Sequence, residues 1–210
     1  MVPLIFSLLA SAGGSSLIAV STSSTPYLGV LHQAGADFAD LGVDVPPSSG
    51  GQVSITRGGT YVAATQSTTP YLAIYRRANP YEKLSSPTAP AGEANDVAWT
   101  PNGGYLAVAH DTTPFVTVYS NADGTLTKID NPASLPTGDG AFVAWSSDGV
   151  YLAVTFTGGD RLKVYKRTGD VLEAITVDAL PAASSLGAVR VAWYGDYLAV
   201  NDRGSPYLAI

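Results

Sequence analysis

The chain repeats one phrase at a nearly constant interval, and that interval restricts it to a few architectures. The stretches LLASAGGSSLIAV (8–20), QVSITRGGTYVAA (52–64), DVAWTPNGGYLAV (96–108), FVAWSSDGVYLAV (142–154) and VRVAWYGDYLAV (189–200) align with one another. Their equivalent residues Leu17, Tyr61, Tyr105, Tyr151 and Tyr197 lie 44, 44, 46 and 46 positions apart. Periods of roughly 40–50 residues belong to propeller blades and to some helical solenoids, so the content of one period must choose between them. Inside each period the apolar residues are β-branched or aromatic, come in short runs bounded by Gly, Pro, Asn and Asp, and show no helical spacing. The units are therefore made of strands. In the third unit the pattern predicts strands over Val97 to Thr100, Tyr105 to Ala109, Phe115 to Tyr119 and Thr125 to Ile129, with a tight turn at Asn102-Gly103-Gly104.

Turn chemistry recurs at matching places. The first hairpin of each unit carries a residue pair suited to positive φ: Gly13-Gly14, Gly58-Gly59, Gly103-Gly104, Asp148-Gly149 and Gly195-Asp196. The third connection does the same with Ala34-Gly35, Asn79-Pro80, Asp123-Gly124 and Gly169-Asp170. Between units run VPPSSGG, SSPTAPAGE, NPASLPTGDG and LPAASSLG, which propagate neither sheet nor helix and read as crossovers. The expectation is one all-β domain over residues 1–210, a β-propeller of about five four-stranded blades. Their approximate bounds are 7–50, 51–94, 95–140, 141–187 and 188–210, the last blade being incomplete.

Composition narrows the function classes. With 46% hydrophobic and 13% charged residues the chain can bury a sizeable core. It has no cysteine, which removes disulfides and thiol chemistry. A formal net charge of −6 argues against nucleic acid or an anionic membrane as a partner. No apolar run approaches the ~18 residues of a membrane span. The opening MVPLIFSLLASAGG resembles a secretion signal but has no basic residue before its apolar stretch, and Leu8 to Val20 aligns without a gap to the other blade openings, so it is read as a blade.

The pattern V-A-W-[ST]-x-[ND]-G-x-Y-L-A-V, followed by Pro-aromatic and a strand ending in Val-Tyr or Ile-Tyr, resembles the WD-repeat-like β-propellers. The Thr-Pro-aromatic variant resembles blades of bacteriophage virion and tail-associated proteins. The Gly-His and Trp-Asp dipeptides of WD repeats are missing; the third strands end in Ile74-Tyr75, Val118-Tyr119 and Val164-Tyr165. The resemblance implies a non-enzymatic virion or extracellular component. Its implied partners are other virion or scaffold proteins, or a cell-surface glycan or receptor.

Several residue sets invite a role. Trp99, Trp145 and Trp193 fall on innermost strands, where an indole fills the wedge between sheets, with Ser11 and Ile55 in the same place earlier. Tyr61, Tyr105, Tyr151 and Tyr197 open the second strands and read as core. The interaction candidates are Thr25, Pro26 and Tyr27; Thr69, Pro70 and Tyr71; Thr113, Pro114 and Phe115; and Pro206 and Tyr207. The alternative reading of these phrases is packing, with proline starting a strand that needs no donor there.

Catalytic signatures are missing. The channel positions Leu8, Gln52, Asp96, Phe142 and Arg190 supply too few oxygen or imidazole ligands for a metal cage, so no catalytic residue, metal or cofactor is expected. His32 reads as lying after a third strand, and His110, beside Asp111, as an exposed loop residue. No Gly-x-Ser-x-Gly elbow, phosphate loop or dinucleotide fingerprint occurs. Arg161, Lys163 and Tyr165 alternate with Leu162 and Val164 and read as the solvated face of an outer strand.

Closure of the ring is open to three arrangements: Val2 to Phe6 pairing with Tyr207 to Ile210, an edge shared with another subunit, or further blades in a longer chain. The last two are favoured, because Val2 to Phe6 runs into Ser7 to Ser11 without the usual Pro-rich connection. The alternative function is a secreted or periplasmic propeller enzyme of lactonase or hydrolase type.

Overall fold

The computed structural model describes residues 5–12, 15–21, 27–34, 37–43, 47–49, 51–78, 80–157, 161–177, 190–201 and 208–209. These residues form strands and no helix. Four sheets have four antiparallel strands in sequence order: β1 (Ile5–Ala12) to β4 (Asp37–Asp40), β5 (Val53–Ile55) to β8 (Glu82–Lys83), β9 (Ala94–Trp99) to β12 (Thr125–Lys128), and β13 (Gly140–Trp145) to β16 (Val171–Ile175). A fifth sheet contains β17 (Val191–Tyr194), β18 (Tyr197–Asn201) and β19 (Leu208–Ala209). The second and third strands are β2 (Ser15–Ser21) and β3 (Leu28–Ala34), β6 (Tyr61–Thr65) and β7 (Leu72–Arg76), β10 (Tyr105–His110) and β11 (Val116–Ala122), and β14 (Tyr151–Phe156) and β15 (Leu162–Thr168). This is the β-propeller arrangement that the repeat predicts. Ile5 and Phe6 belong to β1, where they pair with Ser21 and Val20, so they are not an outer strand for the last sheet.

The recurring phrase builds sheets with unlike sides. In β10, Leu106 and Val108 pack with the second sheet, while Ala107 and Ala109 pack with the fourth. In β14, Leu152 and Val154 point back toward the third sheet and Ala153 forward toward the fifth. Alternation along a strand makes this sorting automatic. Large side chains on one sheet thus meet alanines on the neighbour, which lets the sheets approach closely. The core is divided accordingly into four clusters, each shared by two adjacent blades.

A tyrosine–tryptophan pair locks three of these joints, stacked at Tyr61–Trp99 and Tyr151–Trp193 and tilted at Tyr105–Trp145. Tyr61 lies on Trp99 with centroids 5.5 Å apart, Tyr105 on Trp145 at 6.4 Å and Tyr151 on Trp193 at 6.1 Å. In each case the tyrosine opens one blade's second strand and the indole sits on the next blade's innermost strand. The indole N–H groups of Trp145 and Trp193 donate to the Ala98 and Ala144 carbonyls, both at 3.2 Å. At the first joint Leu17 and Ile55 stand in for the aromatic pair within one cluster.

Hairpins and crossovers are held by hydroxyls. Thr56, Thr100 and Ser146 accept the Tyr61, Tyr105 and Tyr151 backbone N–H groups at 3.0, 2.9 and 2.8 Å. Gly59, Gly103 and Gly149 close the same turns at φ of 68°, 74° and 72°, a region that penalises a Cβ. Tyr119 and Tyr165, at the ends of the Val-Tyr pairs, are fully buried. Their hydroxyls donate to Thr88 O at 2.7 Å and Ser134 O at 2.8 Å, pinning the crossover that enters each blade.

Two expectations are corrected. Tyr165 is not on a solvated face, because β15 is the third of four strands and its ring is consumed by that crossover contact. Tyr197 is 65% exposed rather than core, since no indole covers it. Trp193 is half-buried, whereas Trp99 and Trp145 are buried. Tyr105→Ala removes the tilted indole contact, the Arg167 guanidinium contact at 4.1 Å from the ring centroid and the 2.7 Å bond to Asp170. It is expected to cost about 3 kcal/mol in urea unfolding. Tyr197→Ala is expected to stay within about 0.5 kcal/mol in the same measurement.

Candidate functional site

The Thr-Pro-aromatic phrase folds into the turn between second and third strands. Tyr71 N–H donates to Thr68 O at 2.7 Å, and Phe115 N–H to Thr112 O at 2.7 Å. Gln66 and His110 N–H groups close the same loops on the Tyr71 and Phe115 carbonyls, both at 3.0 Å. Tyr27, Tyr71 and Phe115 adopt φ of 62°, 64° and 66°, and the Thr69-Pro70 and Thr113-Pro114 bonds are cis. The fourth blade lacks the phrase, yet Arg161 keeps φ at 59° and its carbonyl accepts Phe156 N–H at 3.0 Å. The turn geometry therefore belongs to the blade, and the phrase is one sequence that satisfies it.

Exposure within the phrase is divided. Thr69 and Thr113 are exposed, Pro70, Tyr27, Tyr71 and Phe115 are half-buried, and Pro114 is buried. Tyr71 packs on the cluster between the second and third blades. A Cβ on Gly140 would collide with the Phe115 carbonyl, so the third blade's loop rests directly against the start of the fourth. Thr25, Pro26, Pro206 and Tyr207 lie outside the described residues.

These loops share one end of the molecule. Adjacent innermost strands run side by side in register, since Ala98 and Ala144 accept from indoles 47 and 49 residues further on. Equivalent loops must then emerge on one side. Each is tied to the crossover beside it: Ser48 Oγ lies 2.6 Å from Thr68 Oγ1, Ser67 N–H donates to Ser49 Oγ at 2.8 Å, and Asp111 N–H donates to Glu93 O at 3.3 Å. The result is a rim of exposed hydroxyls, with Ser67, Thr68, Thr69, Thr112 and Thr113 outermost.

The innermost strands start at the same end. Asp96 there spans two blades, its Oδ2 accepting Val143 N–H at 3.0 Å. Burial pushes its carboxyl up to about 7, against the Val143 and Val97 N–H groups and the Arg190 charge. Asp96 keeps some exposure. The Arg190 guanidinium lies 4.4 Å from the Phe142 ring centroid, so three of the five channel positions form a continuous arc. Among the described residues no three His, Asp or Glu side chains converge.

His110 corrects the expectation of an exposed loop. It is the last residue of β10 and is fully buried, with Nε2 2.9 Å from Thr117 Oγ1. Nδ1 lies near the Thr112 backbone but falls short of a well-formed hydrogen bond. Gln66, the equivalent residue of the second blade, is also buried and donates Nε2–H to Thr68 O at 3.3 Å. Both side chains are pegs beneath the rim loops. The clue in the sequence is this equivalence with Gln66, since two polar residues capable of the same bond share one register. His32 likewise lies within β3, paired with Leu17 and Ala39.

No protein-family model and no curated protein matches the sequence. Solved structures do resemble the fold. The Swd1 β-propeller domain of Myceliophteria thermophila superposes with a TM-score of 0.66 at 13% identity, over 89% of this chain and 63% of that one. Hsv2 of Kluyvelomyces marxianus gives 0.62 at 14%, over 94% and 64%. A putative 6-phosphogluconolactonase of Bacteroides fragilis gives 0.61 at 17%, over 83% and 55%. At such identities the likeness establishes the β-propeller fold alone. The chain spans between about half and two thirds of these structures' lengths.

His110 and Asp96 tilt stability in opposite directions. Burial, the main cause, lowers the His110 pKa from 6.5 to about 4, so the unfolded chain binds a proton that the folded one refuses. Stability from this residue falls by about 3 kcal/mol as pH drops from 6.5 to 4. Asp96, raised from 3.8 to about 7, holds a proton when folded that the unfolded chain has released, so its contribution falls as pH rises across that interval. The two slopes oppose each other in the wild type. Chemical denaturation across this range should show Asp96→Asn gaining stability as pH rises and His110→Gln losing it.

Proposed function

We propose that this propeller is a non-enzymatic interaction scaffold that presents its hydroxyl rim to a protein or glycan. The observation that carries the reading is the repeated turn: four blades hold the same positive-φ residue, and in two of them exposed threonines sit above it. Backbone bonds at fixed spacing make the rim preorganised, which lowers the ordering cost of binding. Hydroxyls both donate and accept, so they suit amide or sugar groups. The virion setting rests on the resemblance of the Thr-Pro-aromatic phrase alone.

Replacing Thr69 and Thr113 together by aspartate is expected to abolish recovery of the partner in quantitative co-purification while leaving the unfolding midpoint unchanged. Phe115→Ala is expected to lower the midpoint, because the residue is half-buried. Retained recovery with the double aspartate variant would remove the rim from the proposal.

A lactonase-type enzyme is the second reading. Its specific support is Asp96, whose carboxyl near 7 suits proton transfer and faces a cation at the channel end. The putative 6-phosphogluconolactonase among the similar structures adds only a shared fold. Lactone hydrolysis that disappears in Asp96→Asn would favour this reading over the scaffold.

A further inference from the structure

We propose that the wedge between the outer parts of the third and fourth blades binds a neutral pyranose unit of a glycan. The space measures about 850 Å³ and opens to solvent on one side. That volume lies within the range of small-ligand sites. One wall is the face of the third blade that carries Tyr105, since Ser120 is directly opposed to both Tyr105 and Thr127. The other wall is the outer strand β16, which turns Leu172 and Ala174 the same way as its neighbours Arg167 and Tyr165. Ile129 and Leu172, both in the core cluster shared by these two blades, form the floor.

Short side chains open the wedge at this joint. The pair in register with the second-strand tyrosine is Arg76 and Glu82 on the second blade, joined at 3.0 Å, and Lys166 and Glu173 on the fourth. On the third blade the same two places hold Ser120 and Thr127. Two hydroxyls leave free the space that longer charged side chains would occupy.

Charge, polarity and backbone direction select the occupant. Asp130, Asp170 and Glu173 are balanced by Lys128, Lys163 and Arg167 around the wedge, so an ion of neither sign is favoured. Ser120 and Thr127 offer donors and acceptors on one wall, whereas Ile129, Leu172 and Ala174 offer only apolar surface opposite. The ligand therefore needs a polar edge and an apolar face, and a pyranose has both, with hydroxyls around the ring and C–H bonds above and below it. Polar groups close the two ends: Asp170, whose Oδ1 accepts the Tyr105 hydroxyl at 2.7 Å, and Asp130 and Asn131 in the crossover. A peptide strand does not fit, because the free backbone groups of β12 and β16 point along the plane of each sheet and past the wedge. None of the rim hydroxyls takes part.

The test places the whole chain on a printed array of neutral hexose and N-acetylhexosamine oligosaccharides beside sialylated and sulfated ones, then titrates the best neutral binder by calorimetry. Thr127→Phe fills the wedge from an exposed strand position and is expected to lose binding with an unchanged unfolding midpoint. Thr127→Val keeps the volume, removes the hydroxyl, and is expected to weaken binding about tenfold. The double aspartate variant at Thr69 and Thr113 should bind as the wild type does, which separates this site from the rim. Absence of binding to neutral glycans, preference for the acidic ones, unchanged affinity in either Thr127 variant, or loss of binding in the rim variant would each overturn the proposal.

Discussion

A tyrosine from one blade lying on the indole of the next holds three successive joints, and much of the remaining structure serves to place those rings. The hairpin hydroxyls of Thr56, Thr100 and Ser146 fix the backbone of the tyrosine that follows. The alanines of the second strand let the sheets approach until the stack forms. At the third joint the Arg167 guanidinium lies over the Tyr105 ring, while Asp170 accepts its hydroxyl, so one ring links two hairpins and an innermost strand. Such an aromatic pair contributes about 1 kcal/mol beyond area burial.

The channel end depends on those joints. Once adjacent innermost strands are in register, every loop between second and third strands emerges on one side, and Ser/Thr residues become a surface. The pegs beneath it differ from blade to blade: Gln66 in the second, His110 in the third and Phe156 in the fourth, all buried. A buried site that accepts an amide, an imidazole or a phenyl ring is selected by shape, with one local bond added where the side chain is polar. The rim above it is therefore separable from the core in chemistry, though not in position.

Much of the blade was legible because its signals are local. Strand periodicity, hairpin glycines and Pro-rich crossovers act over a few residues, and the observed strands follow them closely: Tyr105–His110 against Tyr105 to Ala109, and Thr125–Lys128 against Thr125 to Ile129. The Thr-Pro-aromatic phrase was legible as a recurrent feature, but the turn geometry does not depend on it, since Arg161 reaches a similar φ without it. His110 and Tyr165 were misplaced because both look polar enough for solvent. Their partners, Thr117 across a strand and Ser134 in a crossover, are brought to them only by folding.

The amino-acid sequence alone determines the repeat, the all-β class, the four-stranded unit and the direction in which large and small side chains face. These follow from steric preferences and a period of two along each strand. Only the tertiary structure decides which repeated residue is core and which is surface. Tyr105 and Tyr197 occupy the same place in the same phrase, yet one packs against an indole and a guanidinium and the other is largely exposed. Burial belongs to the neighbouring sheet rather than to the residue, and a neighbour 40 or more positions away leaves no mark on the local pattern.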